Sequence, residues 1–397
     1  MSKTTMQNLR FSLSAVLRSG LALGAFALAL AVGAAACGDD DDDGGGAGKG
    51  GSSGAAGKAG TGGGGSGTGG VGGTGGGSGT GGASGTGGVS GASGASGASG
   101  ASGTGGTAGA AANPITGATQ PQEIVSGRQF TEGPLWINAT STLLFTDVKA
   151  DTVYAWQEGL TEPTKYLAPE ENNNSNGLAL LPDGRLARCE HSTHRVVVHG
   201  ANAPTSVTVV AEEFNDGGGA KRLNSPNDVI VSKSGTIYFT DPTFGLQGTP
   251  SALGFQGVYR AVPNGAAFTV TAEDKTLQQP NGIALSPDEK VLYVADTTGS
   301  LVKKYTVGAD GALSGGVKLA DTDGGGDGLT VDDAGNLYVA VNAGVLVLAP
   351  DGTPWGTLTF PQVPSNVAFG GADRKTLFVT ARTSVYRVTL ASATGAP

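Results

Sequence analysis

Cysteine is nearly absent from this sequence: only Cys37 and Cys189 occur among its 397 residues. Two cysteines cannot build the disulfide framework of a small secreted domain. Basic residues are also scarce, because 24 Lys and Arg stand against 33 Asp and Glu, a formal net charge of −9. Nucleic-acid-binding proteins need a basic surface, so the composition argues against that class of protein.

The first 36 residues are ordered like a secretory signal peptide. Basic residues without any acidic residue precede an apolar stretch from Leu21 to Val32, and small residues follow up to Cys37. The stretch is short for a membrane-spanning helix, although an uncleaved anchor is the alternative. Cys37 stands where bacterial lipoproteins carry their lipidated cysteine, with Ala34 at the position of the usual Leu. We therefore expect cleavage after residue 36 and a lipid anchor on Cys37, which would hold the protein to a membrane of the bacterial cell envelope, facing the periplasm or the exterior.

Residues 37–113 have the composition of a linker. Half of the 72 glycines lie between residues 38 and 113, mixed with Ser, Thr and Ala. Such a segment cannot form a core, and we expect a disordered, flexible tether with a reach of roughly 45–50 Å. The remaining residues, 114–397, are sufficient for one large domain with its own core.

Residues 114–397 contain a repeat of 39–54 residues. Each unit has an acidic or amide residue, an apolar run, a turn such as Pro182-Asp183-Gly184, and then a β-rich segment. The six anchor residues of the repeat are Glu132, Asn176, Asn227, Asn281, Asp327 and Asn366. The strands expected after the turns are Thr142–Asp147, Arg185–Glu190, Thr236–Asp241, Val291–Asp296, Asn336–Val341 and Thr376–Ala381. Each strand ends 14 or 15 residues after its anchor, which indicates six copies of one structural unit.

Six all-β units of this length, without long amphipathic helical patterns between them, predict a six-bladed β-propeller. We expect Glu123–Phe130 to add an outer strand to the last blade, closing the ring and leaving no open edge. Each anchor would begin the innermost strand of its blade. The anchors would then meet at one mouth of the central channel, and the ends of the following strands would lie toward the same face.

Four anchors offer oxygen donors that suit a hard divalent cation. They are Glu132, Asn227, Asn281 and Asp327. Two carboxylates and two amides fit Ca²⁺ and would leave positions for water or substrate, whereas Zn²⁺ prefers His or Cys. The alternative is that such residues only cap strands and turns. We favour capping for Asn176 and Asn366, and a ligand role for Glu132 because an unpaired buried charge is costly.

Several short segments together resemble the regucalcin (senescence marker protein)/gluconolactonase family. They are Glu132-Gly133-Pro134, Leu223-Asn224-Ser225-Pro226-Asn227-Asp228, Phe239-Thr240-Asp241-Pro242, Pro280-Asn281-Gly282, Asp327-Gly328-Leu329 and Asn366-Val367-Ala368-Phe369. The resemblance covers about Glu123 to Leu390 and implies a calcium-dependent lactonase with six blades, although other divalent cations are possible. It also implies that the same four anchors bind the metal. Ser225 stands where some animal members have a sugar-binding Arg, while Arg188-Cys189-Glu190-His191 resembles bacterial members.

Substrate contacts are expected from residues near the same mouth. They are His191, Asn224, Asp241 and Phe244. His191 follows the end of a returning strand and could touch substrate or move a proton. Phe244 is either a wall for a ring-shaped substrate or a packing residue of its loop. We interpret His194 and His199 as hydrogen-bonded or solvent-facing, and Cys189 as a small core residue.

The sequence thus predicts a monomeric, lipid-anchored hydrolase that opens small sugar lactones such as glucono-1,5-lactone. Ca²⁺ would polarise the lactone carbonyl, and Asp327 would activate water, with Glu132 or His191 as alternative bases. The acidic composition favours a neutral lactone over an anionic one. Two alternatives stay open: a phosphotriesterase-like hydrolase on the same metal site, and a propeller that binds metal or sugar without turnover.

Overall fold

The computed structural model describes residues 112–200 and 203–396. The expected signal peptide at 1–36, the lipidation site Cys37 and the linker up to residue 111 lie outside this part of the chain. Within it, no helix combines the length and the apolar character that crossing a bilayer requires.

The described residues form a six-bladed β-propeller of four-stranded antiparallel sheets, which confirms the predicted fold class. Blade 1 contains Thr131–Ile137, Thr142–Asp147, Thr152–Trp156 and Thr164–Leu167, and blade 2 contains Ser175–Leu180, Leu186–Glu190, Arg195–Gly200 and Ala203–Ala211. Blade 3 contains Val229–Val231, Ile237–Asp241, Gly257–Asn264 and Ala267–Asp274, and blade 4 contains Pro280–Leu285, Val291–Asp296, Leu301–Val307 and Leu313–Asp321. Blade 5 contains Leu329–Val331, Leu337–Val341, Gly344–Leu348 and Pro354–Leu358.

Blade 6 combines segments from the two ends of the propeller. Its inner strands are Asn366–Gly370, Thr376–Ala381 and Ser384–Thr389, and its outer strand is Gln122–Val125. Gln122 is opposite Arg387 in this antiparallel pair, and the buried Val125 packs with Phe378 and Val385. The closure of the ring by the segment before the first anchor is therefore confirmed, but the strand covers Gln122–Val125 rather than the expected Glu123–Phe130.

The smaller elements lie between the blades' strands. They are a ribbon of Glu213–Asn215 with Ala220–Arg222, a helical turn at Pro169–Asn172, and 3₁₀ turns at Asn138–Thr140 and Phe244–Leu246.

The hydrophobic core is divided among the six interfaces between neighbouring blades. Alternate residues of a second strand point to opposite neighbours, as the two-residue period of a strand requires. In blade 1, Leu143 and Phe145 pack toward blade 6, whereas Leu144 packs toward blade 2. In blade 3, Phe239 packs toward blade 2 and Tyr238 toward blade 4. Burial on both faces explains why the second strands are almost continuously apolar.

Acidic residues at the ends of three second strands hold the chain that leads into each blade. Each carboxylate accepts two backbone N–H groups from the preceding loop. Asp147 accepts from Gln129 and Phe130, Asp241 from Asn224 and Ser225, and Asp296 from Gln278 and Gln279, at 2.8–2.9 Å. These bonds return the loops before the inner strands of blades 1, 3 and 4 to one face, which brings the anchors of those blades toward the channel axis.

Candidate functional site

A cavity of about 1010 Å³ opens at this face of the propeller. Five of its lining residues come from five different blades: Glu132, His191, Asn227, Asn281 and Asp327. All four predicted metal ligands are therefore brought together, although they are separated by up to 195 positions in sequence. The inner strands of adjacent blades contact one another around the ring, and this contact converts the sequence repeat into a cluster.

Glycines directly after several anchors allow this close approach. A Cβ on Gly282 would lie 2.4 Å from the backbone oxygen of Asp327, and one on Gly177 would lie 2.6 Å from the Cα of Asp228. Both distances are shorter than any real Cβ contact, so a side chain at either position would push neighbouring strands apart. Two anchors are followed by other residues: Val367 follows Asn366, and Asp228 follows Asn227 and places a buried carboxylate near the channel axis.

Amide side chains form a continuous hydrogen-bonded arc around the floor of the cavity. Asn176 Nδ2 donates to Asn227 Oδ1 at 2.7 Å, and Asn227 Nδ2 donates to Asn281 Oδ1 at 2.6 Å. Asn281 Nδ2 in turn donates to Thr297 Oγ1 at 3.0 Å. Every donor in the arc is directed to a neighbour, so the oxygens of Asn227 and Asn281 are oriented and keep a second lone pair.

Three carboxylates are buried around this arc and repel one another. Burial raises the pKa of Glu132 well above its usual value, and the charges of Asp327 and Asp228 raise it further. Burial also raises the pKa of Asp327 to about 7, although a hydrogen bond from Asn281 and the charge of Arg382 oppose the shift. The pKa of Asp228 is raised by burial to about 6. Such a cluster is unfavourable as three anions and gains from a nearby positive charge.

The donor set fits a hard divalent cation. It consists of carboxylate and amide oxygens, the ligands that Ca²⁺ and Mg²⁺ prefer. The buried Oδ1 of Asn176, at the start of the same arc, also has no hydrogen-bond partner among the described residues. Within residues 112–200 and 203–396, no three His, Cys, Asp or Glu side chains are placed to share one ion, so the described part of the chain holds no His- or Cys-rich centre of the zinc type.

Two of the four expected substrate contacts line the cavity. His191 is buried, and burial lowers its pKa to about 4, so its imidazole is neutral at physiological pH. Its Nε2 has no hydrogen-bond partner among the described residues. Phe244 belongs to a 3₁₀ turn, and its side chain is 40% exposed at the mouth. Both positions suit contact with a bound molecule.

The other two, Asn224 and Asp241, do not line the cavity. Asn224 Nδ2 donates to the backbone oxygens of Asp241 and Phe255 at 3.0 and 2.9 Å, and Asp241 holds the loop before blade 3. The structure therefore gives both residues hydrogen bonds within the fold. Burial raises the pKa of Asp241 to about 7, against the opposing effect of its hydrogen bonds.

The anchors interpreted as caps make polar contacts near the site. Asn366 Oδ1 accepts the backbone N–H of Val367 at 2.8 Å, and its side chain opposes the rise in the pKa of Glu132 and Asp228. Asn176 donates to the predicted ligand Asn227. Both residues therefore support the carboxylate and amide cluster, a role that the strand-cap interpretation did not include.

The remaining singled-out residues have structural contacts. His194 Nδ1 bonds to the backbone oxygen of Asn224, and His199 Nδ1 to that of Gly200. Cys189 is buried in the core between blades 2 and 3. Glu190 forms ion pairs with Arg188 at 2.9 Å and Arg195 at 2.5 Å, which fixes the end of the strand before His191.

Sequence reasoning missed a group of rim residues that the structure adds to the cavity. They include Phe130, Lys149, Asn174, Thr297 and Arg382. Phe130, Lys149 and Asn174 lie in loops at positions that the regular spacing does not mark. Thr297 and Arg382 each stand directly after the last residue of a second strand, as His191 does, so a strand-end pattern could have found both.

Comparisons with known proteins agree with this geometry. The family profile described as SMP-30/Gluconolactonase/LRE-like region matches residues 130–383. A gluconolactonase of Zymomonas mobilis is 32% identical over 298 residues, covering 68% of this chain and 81% of that protein. A pentonolactonase of Haloferax volcanii, XacC, is 28% identical, covering 63% and 80%. The solved structure of the gluconolactonase XC5397 from Xanthomonas campestris has a TM-score of 0.61 and 31% identity, covering 68% of this chain and 89% of that one.

Proposed function

Because this chain belongs to the SMP-30/gluconolactonase/LRE-like family, we propose that it is a lactone hydrolase that opens sugar lactones in the cavity of the propeller. The observation that supports this most directly is the convergence of Glu132, Asn227, Asn281 and Asp327 on one cavity floor. Lactonase relatives that cover most of the chain supply the reaction class.

A divalent cation, for which we propose Ca²⁺, would be held by Glu132, Asp327 and the oxygens of Asn227 and Asn281. When bound, it would supply stabilisation of the negative charge that develops on the lactone carbonyl oxygen. The amide arc contributes by fixing the two Asn oxygens before any ligand arrives, so little reorganisation is needed.

Asp327 is the proposed general base. Burial raises its pKa to about 7 before a cation binds, and a bound cation would lower that value, so the proposal rests on the position of this carboxylate in the cavity. It would take a proton from the water whose oxygen attacks the carbonyl carbon. The ring C–O bond then breaks, the ring oxygen leaves as a hydroxyl after receiving a proton, and the product is a hydroxy acid.

His191 and Phe244 would complete the binding site. The neutral imidazole of His191 presents an unpartnered Nε2, which suits hydrogen bonding to a sugar hydroxyl. The exposed ring of Phe244 offers an apolar face to the pyranose or furanose ring.

The test is hydrolysis of glucono-1,5-lactone, followed with a pH indicator, in the presence of EDTA and after addition of excess CaCl₂. We expect activity to be lost with EDTA and restored by CaCl₂. Activity that is unchanged by EDTA would contradict the metal site, whereas hydrolysis of organophosphates in preference to a lactone panel would favour the phosphotriesterase alternative.

Asp327→Asn tests the general base separately from the metal. It keeps an oxygen donor but removes the charge and the basic group, so turnover at saturating CaCl₂ should fall by about 10²-fold or more. The matched control is Asp321→Asn, the same change on a carboxylate that is 75% exposed and outside the cavity, which should retain full turnover. Turnover of Asp327→Asn close to that of the control would transfer the role to Glu132 or His191.

A further inference from the structure

Two cations share one aromatic ring at the rim of the cavity. Lys149 Nζ lies 5.2 Å from the centroid of the Phe130 ring, and Arg382 Cζ lies 5.4 Å from it. All three residues line the cavity. They come from three separate segments: the chain leading into blade 1, the loop after its second strand, and the corresponding loop of blade 6. We name these residues the rim cluster.

In the described part of the chain, the rim cations lack the carboxylate partners that three of the four other stacked cations have; the fourth, Lys275, lacks one as well. Arg128 lies over Tyr154 and pairs with Glu162 at 2.6 Å, and Lys303 lies over Tyr305 and pairs with Asp274 at 2.6 Å. Lys149 and Arg382, by contrast, have no carboxylate within 4 Å in the described part of the chain. Their positive charges are therefore available to a ligand.

The backbone of Arg382 is fixed by a hairpin turn. Its φ is 49°, in the left-handed region, and its backbone oxygen accepts the N–H of Thr131 at 2.7 Å. Asp151, His194 and Ser300 have positive φ in the corresponding turns of blades 1, 2 and 4, so this conformation belongs to the turn between the second and third strands and determines where the Arg382 side chain leaves the backbone.

The charge of the rim is opposite to that of the molecule and of the cavity floor. The chain has a formal net charge of −9, and the carboxylates that line this cavity, Glu132 and Asp327, are both buried on its floor. Two like charges around one ring also repel each other, so an anion between them would be favoured.

We propose that the rim cluster is a specificity site for lactones that carry an additional anionic group, such as phosphate, sulfonate or carboxylate. This inference rests on the proposed lactonase function. The lactone ring would lie on the floor, and the anionic substituent would accept charge-assisted hydrogen bonds from Lys149 and Arg382 at the rim. The site thus selects an anionic substrate in spite of the acidic composition, and a neutral sugar lactone uses only part of it.

The experiment compares kcat/KM for 6-phosphoglucono-1,5-lactone and glucono-1,5-lactone in the wild type, Lys149→Met and Arg382→Met. We expect the ratio of the two values to fall by about tenfold or more in each variant, mainly through KM for the phosphorylated lactone, because a hydrogen bond to a charged group is lost. The ratio is the proper quantity, since Arg382 also affects Asp327 and hence the reaction of both lactones.

Lys275→Met is the matched control. Lys275 Nζ also lies over aromatic rings, 4.6 Å from the Phe255 centroid and 5.2 Å from that of Phe214, but it does not line the cavity. Its substitution should leave the ratio at the wild-type value. Ratios that are equal in the wild type, Lys149→Met and Arg382→Met would overturn the proposal.

A binding measurement separates this proposal from the proposed reaction. Titration calorimetry with 6-phosphogluconate and with gluconate, neither of which contains a lactone bond, reports the rim cluster without turnover. Weaker binding of 6-phosphogluconate alone in Lys149→Met would support the cluster even if no lactone were hydrolysed. Equal affinity of the wild type and Lys149→Met for 6-phosphogluconate would overturn it even if lactones were hydrolysed.

Discussion

Single glycines determine how closely the inner strands approach at the channel axis. Gly282→Ala would place a Cβ 2.4 Å from the backbone oxygen of Asp327 and 2.7 Å from the Cα of Gly328. Backbone atoms cannot move aside as a flexible side chain can, so we expect a loss of about 1–3 kcal/mol in the free energy of unfolding. Urea unfolding measures the loss.

Gly200→Ala is the control for this prediction. Among the residues that the structure describes, no heavy atom lies within 4 Å of a Cβ added there, and the φ of Gly200 is outside the left-handed region. Its free energy of unfolding should equal or slightly exceed that of the wild type. Equal unfolding midpoints for the two Ala variants would show that the close approach at Gly282 is not a constraint.

The residues of the site differ in how easily they could be identified from the sequence. The four predicted metal ligands could be identified because each occupies the same position within a regular repeat. In a propeller, residues at the same position of successive repeats lie at the same place in successive blades. These ligands are Glu132, Asn227, Asn281 and Asp327. Lys149 could not, since it lies in a loop at a position that the repeat does not mark, whereas Arg382 directly follows the end of a second strand, as His191 does, and was overlooked. Asn224 and Asp241 were chosen from short segments whose hydrogen bonds hold a loop, a function that sequence spacing alone does not distinguish from ligand binding.

Strands were predictable in proportion to their burial. The expected second strands end at the observed residues and begin within one residue of them, because a turn followed by a doubly buried apolar run is a strong signal. The outer strands gave a weaker signal. Leu313–Asp321 is mostly exposed, and its Gly, Ser and Lys residues follow no clear alternation, so tertiary pairing decides its structure.

Asp274 connects an outer strand of blade 3 to blade 4. It accepts hydrogen bonds from Lys303 Nζ at 2.6 Å and from the Tyr305 hydroxyl at 2.7 Å. Burial alone would raise the pKa of Asp274, but the hydrogen bonds from Lys303, Thr276 and Tyr305 outweigh burial and lower it to about 2. A carboxylate with a depressed folded pKa adds stability above its unfolded pKa, near 3.9, and that stability is lost as the pH falls toward 2.

Asp274→Asn should therefore destabilise the protein at pH 7. The deficit, which is the amount by which its unfolding midpoint lies below that of the wild type, should shrink between pH 4 and pH 2. Unfolding midpoints across this range provide the measurement. Asp321→Asn, which removes an exposed pair with Lys318, should show little deficit at any pH. A deficit in Asp274→Asn that stayed constant down to pH 2 would indicate a packing defect rather than a charge effect.

At the scale of the whole molecule, three blades each place a carboxylate near the channel axis. Glu132, Asp228 and Asp327 belong to blades 1, 3 and 5 or to the residues just before them, so their repulsion acts on the ring as a unit. In EDTA, Glu132→Gln should raise the melting temperature because one of the three charges is removed. Addition of CaCl₂ should raise the melting temperature of the wild type, since a ligand that binds the folded state stabilises it.

Addition of CaCl₂ should raise the melting temperature of Glu132→Gln less than that of the wild type, because the variant has lost a charged ligand. Differential scanning calorimetry with EDTA and with CaCl₂ gives all four melting temperatures. A wild type that is insensitive to CaCl₂, together with a Glu132→Gln variant that melts lower in EDTA, would contradict the idea that a cation balances these charges.

The shared sixth blade affects when the protein can acquire its fold during synthesis. Tyr386 donates a hydrogen bond to Glu123 at 3.2 Å, across 263 positions of sequence. A growing chain therefore exposes the unpaired edge of Gln122–Val125 until residues 384–389 have left the ribosome, and the entropy of closing so long a loop is overcome only then. We expect released chains that end at Thr383 to be cleaved readily by a protease and released chains that continue to Ala396 to resist it, with an abrupt rather than gradual change between the two.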